Sequence, residues 1–467
     1  MIDNIKKNTL DMTQGNIKKI MLIFALPIFL SSLFQTLYSS IDALIVSKFI
    51  GNDAFASITS LGSMIHMSNS FFIGTSMGAG VVISKYFGAK DYDNMSKAIH
   101  NDILIGLISS ILLMLFGVLL VPIIIRNFME LDADIMPLSI EYITIYFSGA
   151  IGSVMYNIFN GILNAVGNSK RSLVYLIISS VLNIILDLLF VAVFKLGVWS
   201  AALATIISQL TSAILALIYL LNKTRIYHIE FKRLKFNKTI SKEIIKYGLP
   251  TGIQNSVIGL ANVLVQRNIN AFGSYATTAQ GAYAKVESYV FLPVQAFTMA
   301  ISTFVSQNLG AGDTERARQG ARFGIFVSII IAEMFGIFLF IVAPFLIKIF
   351  INNQNPEETK EIIKLATKQA RIQALFFFLL ALSHALAAVF RGAGKAFIPM
   401  MIMLLVWCLI RVAYITIMMK IPATHYIEYI YAAYPITWTI SSIIYLIIYF
   451  KSDWIHSFDK KTLKEAV

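Results

Sequence analysis

Four oxygen-bearing side chains sit inside apolar stretches of this 467-residue sequence. Asp42 is the one charge in the run from Ile20 to Ser47. Asn183 and Asp187 stand one helical turn apart in a later run, and Thr205 lies in the run after that. A carboxylate in a membrane-spanning helix costs a few kcal/mol or more and marks a functional site by default. Two carboxylates at low dielectric cannot cheaply both ionise, so one of them should carry a proton. Carboxylate, amide and hydroxyl oxygens also suit a hard cation, here Na⁺, with Asp42 and Asp187 as its charged ligands. Counting from flanking polar residues at about 1.5 Å per residue, Asp42, Asp187 and Thr205 lie roughly 9–12 Å below one membrane boundary, with Asn183 a turn deeper. Each signal has a plain structural reading as well. Asp42 would then be an acid held by neighbouring hydroxyls, and Asn183 with Asp187 a polar clamp between helices.

The elements that must position these groups follow from composition. Hydrophobic residues make up 57% of the chain and charged ones 13%, against roughly 25% charged in soluble domains. This is an all-α polytopic membrane protein. About twelve runs are long enough to cross a bilayer, centred near residues 33, 70, 111, 151, 183, 211, 259, 290, 334, 380, 408 and 438. An even number puts both termini on one side. Most of the 38 Lys and Arg then fall in segments facing the cytoplasm, so both termini are assigned there. The exception is an external loop near residues 348–371 that is rich in lysine. The net charge of +13 is spread over short loops, which fits an anionic inner leaflet rather than nucleic acid. The first run is itself a span, not a cleavable signal. The single cysteine, Cys408, allows no disulfide framework or metal cluster.

The basic stretch 223–246, which holds only Glu230 and Glu243 against eight Lys and Arg, divides the chain. The domains are an N-terminal six-helix lobe at 1–222, this linker, and a C-terminal six-helix lobe at 247–467. The lobes repeat. Leu26-Pro27 answers Leu249-Pro250, and Gly88-Ala89-Lys90-Asp91 answers Gly310-Ala311-Gly312-Asp313. Gly161 to Lys170 answers Arg391-Gly392-Ala393-Gly394-Lys395. Parallel six-helix repeats are a transporter architecture. Pro27 removes one backbone hydrogen bond and lets the first span bend, while Gln35 and Tyr38 share a helix face with Asp42.

The second lobe has no acid at Val265, the counterpart of Asp42, so ion coupling belongs to the first. Glu287 with Lys285, and Arg411, are further intramembrane charges that either pair structurally or line a cavity. Arg267 and Glu333 lie nearer span ends and read as snorkelling side chains. His66 and His384 read as packing residues. The glycine-containing turns read as a C-cap followed by an N-capping Asp91 or Asp313. The six histidines show no metal-ligand spacing, and no nucleophile elbow stands out, so the chain is not read as an enzyme and needs no organic cofactor.

These residues carry a resemblance to the multidrug and toxic compound extrusion (MATE) transporters over essentially the whole chain. It rests on Leu26-Pro27, on Ser40-Ile41-Asp42-Ala43-Leu44-Ile45-Val46, and on the paired Gly-Ala turns. Asn183-Ile184-Ile185-Leu186-Asp187, followed by Ala201-Ala202-Leu203-Ala204-Thr205, completes it. The resemblance implies a V-shaped pair of pseudo-symmetric lobes in the cytoplasmic membrane of a prokaryote. It implies export of small amphipathic, often cationic compounds by a monomer, in exchange for H⁺ or Na⁺. It makes Asp42, Asn183, Asp187 and Thr205 the ion site and Pro27 the hinge, with Gln35, Tyr38, Asn157 and Asn160 lining the cavity. Some family members place coupling acids in spans seven and ten. Here those spans offer Gln254, Asn255, Asn262, Ser383 and His384, which argues against a C-lobe site of that kind. The alternative is a flippase or exporter of a lipid-linked or other amphipathic metabolite.

Overall fold

The computed structural model describes residues 9–129, 132–351 and 355–459, and among them it is helical with no strand. The first half comprises α1 Ile17–Phe49, α2 Asn52–Gly88, α3 Tyr92–Leu119, α4 Val121–Phe128, α5 Ile135–Ser148, α6 Ala150–Ala165, α7 Ser169–Asp187 and α8 Trp199–Leu220. The second half comprises α9 Lys238–Asn270, α10 Ser274–Gly310, α11 Thr314–Ile349, α12 Pro356–Ala374, α13 Phe377–Gly392, α14 Phe397–Ile402, α15 Arg411–Lys420 and α16 Ile427–Lys451. Two stretches are π-helical: Leu188–Val193 directly after α7, and Met403–Ile410 between α14 and α15.

Among the described residues eight helices are long and apolar enough to cross a membrane, or ten when each of two bent pairs counts as one span. The bent pairs are α5 with α6, at 47°, and α12 with α13, at 56°. The two remaining expected spans, near residues 70 and 259, are α2 and α9, helices of 37 and 33 residues. Ser, Thr, Asn and Gln dilute their apolarity, so length alone marks them. The expected loop at 348–371 is mostly the helix α12. Asn355 caps it by accepting the Glu357 N–H at 3.1 Å, Pro356 occupies its first turn, and Glu357 and Glu358 favour that end of the dipole.

The paired turns form as the sequence suggests. Asp91 accepts the N–H of Asn94 at 3.2 Å and Asp313 that of Arg316 at 2.9 Å. The residue before each Asp is left-handed: Gly312 at φ 78°, but Lys90 at φ 56°. The basic connection between the halves is pinned to the start of α3. The Glu230 N–H donates to His100 Nε2 at 2.9 Å, and Asn101 Oδ1 accepts from Asn237 N–H and Ser241 Oγ at 2.8 and 2.7 Å. His228, at 2.6 Å from Glu230 Oε1, holds the Glu230 carboxyl below its usual range, with Arg233 assisting.

Contacts gather the described chain into two units. One contains residues 26–252 with the N-terminal segment up to Gln14; the other contains 253–459 with Gly15–Ala25. The divisions fall inside α1 and α9, beside Pro27 and Pro250. Within the first unit the early part of α9 lies close against α2. A Cβ on Gly78 would stand 2.3 Å from the Tyr247 carbonyl oxygen, and Lys85 Nζ meets Glu243 Oε1 at 2.6 Å.

Candidate ion site in the first unit

Three helices of the first unit deliver the four oxygen-bearing groups. Asn183 and Asp187 share a face of α7 because four residues complete about one turn. That face is buried, with Asn183 1% and Asp187 0% exposed. It meets α8 along Ala201, Ala202 and Ala204, all fully buried, whose small side chains permit close approach. Thr205 Oγ1 donates to the Ala201 carbonyl at 3.1 Å and accepts from Asn183 Nδ2 at 3.5 Å.

α1 brings Asp42 to the same place. The Asp42 and Asp187 carboxyls face each other within hydrogen-bonding reach. Among the described residues no donor reaches Asp42 Oδ1 or either oxygen of Asp187, and Asn183 Oδ1 is also a buried acceptor without a donor. Two ionised carboxylates are both acceptors, so they make a hydrogen bond only when one holds a proton. Val46, Val191, Val198, Ala201 and Ala202 belong to one buried apolar cluster of this unit, together with Tyr142 and Tyr146, and low-dielectric surroundings of that kind strengthen charge interactions.

Aromatic groups complete the surroundings. Tyr142 lies within electrostatic range of both Asp42 and Asp187, and its ring stacks on Tyr146 at 6.3 Å and 15°. Tyr146 Oη accepts from Asn69 Nδ2 at 3.0 Å, and Gln209 stands nearby. Tyr38 reaches the group from α1, beside Gln35, which is exposed. The sequence reading missed Tyr142, Tyr146, Asn69 and Gln209. The two amides carry the signal that exposed Asn183, a polar group within an apolar run.

Asn157 and Asn160 belong to a second polar cluster on α6. Asn160 Oδ1 accepts from Ser172 Oγ and from Asn164 Nδ2, and Asn157 Nδ2 donates to Ser153 O at 2.9 Å. Tyr156, beside Asn157, lies within electrostatic range of Tyr38. Pro27 is buried in an uninterrupted α1. Asp102, 1% exposed on α3 with no donor to either oxygen among the described residues, is a further buried acid that the sequence reading passed over.

The other intramembrane charges divide. Glu333 does not snorkel; its Oε2 accepts the Phe378 N–H at 3.2 Å and so caps α13 at the break in its span. Arg267 is exposed. His384 packs edge-on against Phe291 and Trp407, at 4.9 and 5.3 Å. Neither Lys285 with Glu287 nor Glu287 with Arg411 forms an ion pair within 4.0 Å among the described residues, so the structural pairing of these charges is absent. No group of three or more His, Cys, Asp or Glu that could hold a metal ion occurs among the described residues.

Comparison with known proteins follows the same two halves. The family model described as MatE matches residues 27–189 and again 250–417. The chain is 26% identical over 391 residues to a probable multidrug resistance protein, YoeA, of Bacillus subtilis, covering 82% of each. It is likewise 26% identical over 399 residues to the probable multidrug resistance protein NorM of Thermotoga maritima, covering 83% of this chain and 82% of that one. A crystal structure of MATE in complex with MaL6 superposes with a TM-score of 0.87 at 20% identity, covering 94% of this chain and 97% of that one.

Proposed function

The chain belongs to the MatE family, and from that premise we propose that it is an antiporter exporting amphipathic, often cationic compounds by alternating access in exchange for H⁺ or Na⁺. The observation that carries this reading is the facing pair Asp42 and Asp187, whose oxygens Asp42 Oδ1 and both of Asp187 are buried and have no donor among the described residues. The relatives' description as multidrug resistance proteins supports the substrate class. The reading places the protein as a monomer in the cytoplasmic membrane of a prokaryote, with both termini inside and no cofactor besides the coupling ion.

In the cycle, an ion from outside enters between the two carboxyls and cancels the repulsion that holds α1 away from α7. A proton would bridge the carboxyl oxygens; Na⁺ would in addition take Asn183 Oδ1 and Thr205 Oγ1. α1 then bends near Pro27 and narrows the space lined by Gln35, Tyr38, Asn157 and Asn160, displacing the substrate. Release of the ion inside resets the pair. A membrane potential of ~100 mV supplies about 2.3 kcal/mol per charge.

The test is dye efflux from reconstituted vesicles, driven separately by a pH jump and by a Na⁺ jump. One gradient should drive flux, and Asp42→Asn should abolish it. Undiminished gradient-driven flux in Asp42→Asn would refute the coupling mechanism.

A further inference from the structure

We propose that the second unit holds a binding site for a zwitterionic amphiphile, with Arg411 taking its carboxylate or phosphate and Glu287 its cationic group. This deepens the exporter reading and rests on it, since it names a substrate class.

The internal repeat points to the place. Asp187 lies 160 residues after Pro27, and Arg411 lies 161 after Pro250. Four residues before each stand Asn183 and Trp407, so the polar pair of the first half is answered by Trp407 and Arg411. Each charge also abuts a π-helical stretch, Leu188–Val193 after Asp187 and Met403–Ile410 before Arg411. Such stretches widen a helix and cluster at functional sites. The repeat therefore puts an opposite charge within one residue of the corresponding position.

The surroundings of Arg411 suit a ligand better than a structural partner. The side chain is 1% exposed, and its Nε and Nη2 both donate to one neutral acceptor, Thr437 Oγ1, at 3.2 and 2.8 Å. Trp407 and Tyr434 cover the guanidinium, with ring centroids at 4.9 and 4.4 Å, so that further donation is confined to the in-plane N–H groups that Thr437 does not take. A guanidinium has five of these in a fork that matches carboxylate or phosphate. Glu287, half-buried on α10, is within electrostatic range. It has no ion pair or hydrogen bond among the described residues. A buried charge without a partner is costly, and here two opposite ones stand near each other uncombined. A ligand carrying both signs would satisfy both.

The test uses the purified full chain in lipid nanodiscs, without any gradient. Binding of a rhodamine with a free carboxylic acid is compared by polarisation with that of its methyl ester, which keeps only the cation. Wild type should bind the acid at least ~10-fold more tightly, the scale of a charged hydrogen-bonded contact. Arg411→Gln should erase that difference and leave the ester's affinity alone, while Arg411→Lys should retain part of it. Glu287→Gln should weaken both dyes alike. If wild type binds the ester as tightly as the acid, binds neither, or if Arg411→Gln weakens both equally, the site is wrong. The wild-type comparison holds even where a variant fails to fold. Because binding is read without flux, absence of gradient-driven export would sink the exporter reading while leaving the acid-to-ester ratio to decide this one.

Discussion

Asn183 separates the two candidate ions more sharply than either acid does. A proton needs only the carboxyl pair, whereas Na⁺ needs several neutral oxygens as well. Asn183→Leu should therefore cost roughly tenfold or more in Na⁺-driven flux if Na⁺ is the ion, and far less in proton-driven flux if it is H⁺. Asp187→Asn should abolish flux under either. Paired efflux assays read both outcomes. These residues were legible in the sequence because an acid or amide inside an apolar run has no cheap alternative to a partner. Tyr142 and Tyr146 were not, because the chain has 20 tyrosines and a phenol is at home in a membrane interface or a core. Asp102 was passed over for a related reason. It lies five residues from Lys97, where an acid is ordinarily taken as solvated, and only packing shows it buried.

The helices were legible by length and apolarity, and the turns by their Gly and Asp. Their irregularities were not. The π-helical runs, Leu-Leu-Phe-Val-Ala-Val and Met-Leu-Leu-Val-Trp-Cys-Leu-Ile, are ordinary apolar sequences, so nothing in residue type marks the extra residue per turn. α12 was hidden because its lysines suggested a solvated loop, although the cap at Asn355 and Pro356 is a helix start. The two Gly-Ala turns offer a prediction. Lys90 holds a left-handed conformation that Gly312 adopts freely in the other half. Lys90→Gly should stabilise the protein by roughly 0.5–1 kcal/mol, the left-handed penalty less the entropy glycine regains on unfolding, read as a higher melting temperature. The connection at Glu230 offers another. Because its carboxyl is held below the usual range in the folded state, its contribution is present above that range and fades as pH falls through the lowered value. Hydrogen exchange around Phe231–Arg233 should accelerate only below about pH 4, the ordinary glutamate value, and Glu230→Gln should show the faster exchange already at neutral pH.

Across the whole molecule, sequence repetition and physical grouping answer different questions. The repeat is read along the chain and puts its midpoint in the basic connection. Grouping by contact instead gives residues 238–252 to the first unit and 15–25 to the second. No hydropathy pattern reveals this, since α1 and α9 are each single helices whose two ends pack in different company. A chain divided after residue 222 would give a first fragment lacking its α9 contacts, among them Lys85 with Glu243. That fragment should be degraded when expressed alone, and co-expression of the second should rescue both, as immunoblots of membranes would show. There is a consequence in time as well. Synthesis runs from one end, so the first unit waits, incomplete, until residue 252 has been made. The second cannot close without a segment made at the very start. The first unit can close once residue 252 exists, whereas the second still needs everything from Ile253 onward, and a ribosome that stalls before residue 252 leaves neither unit whole.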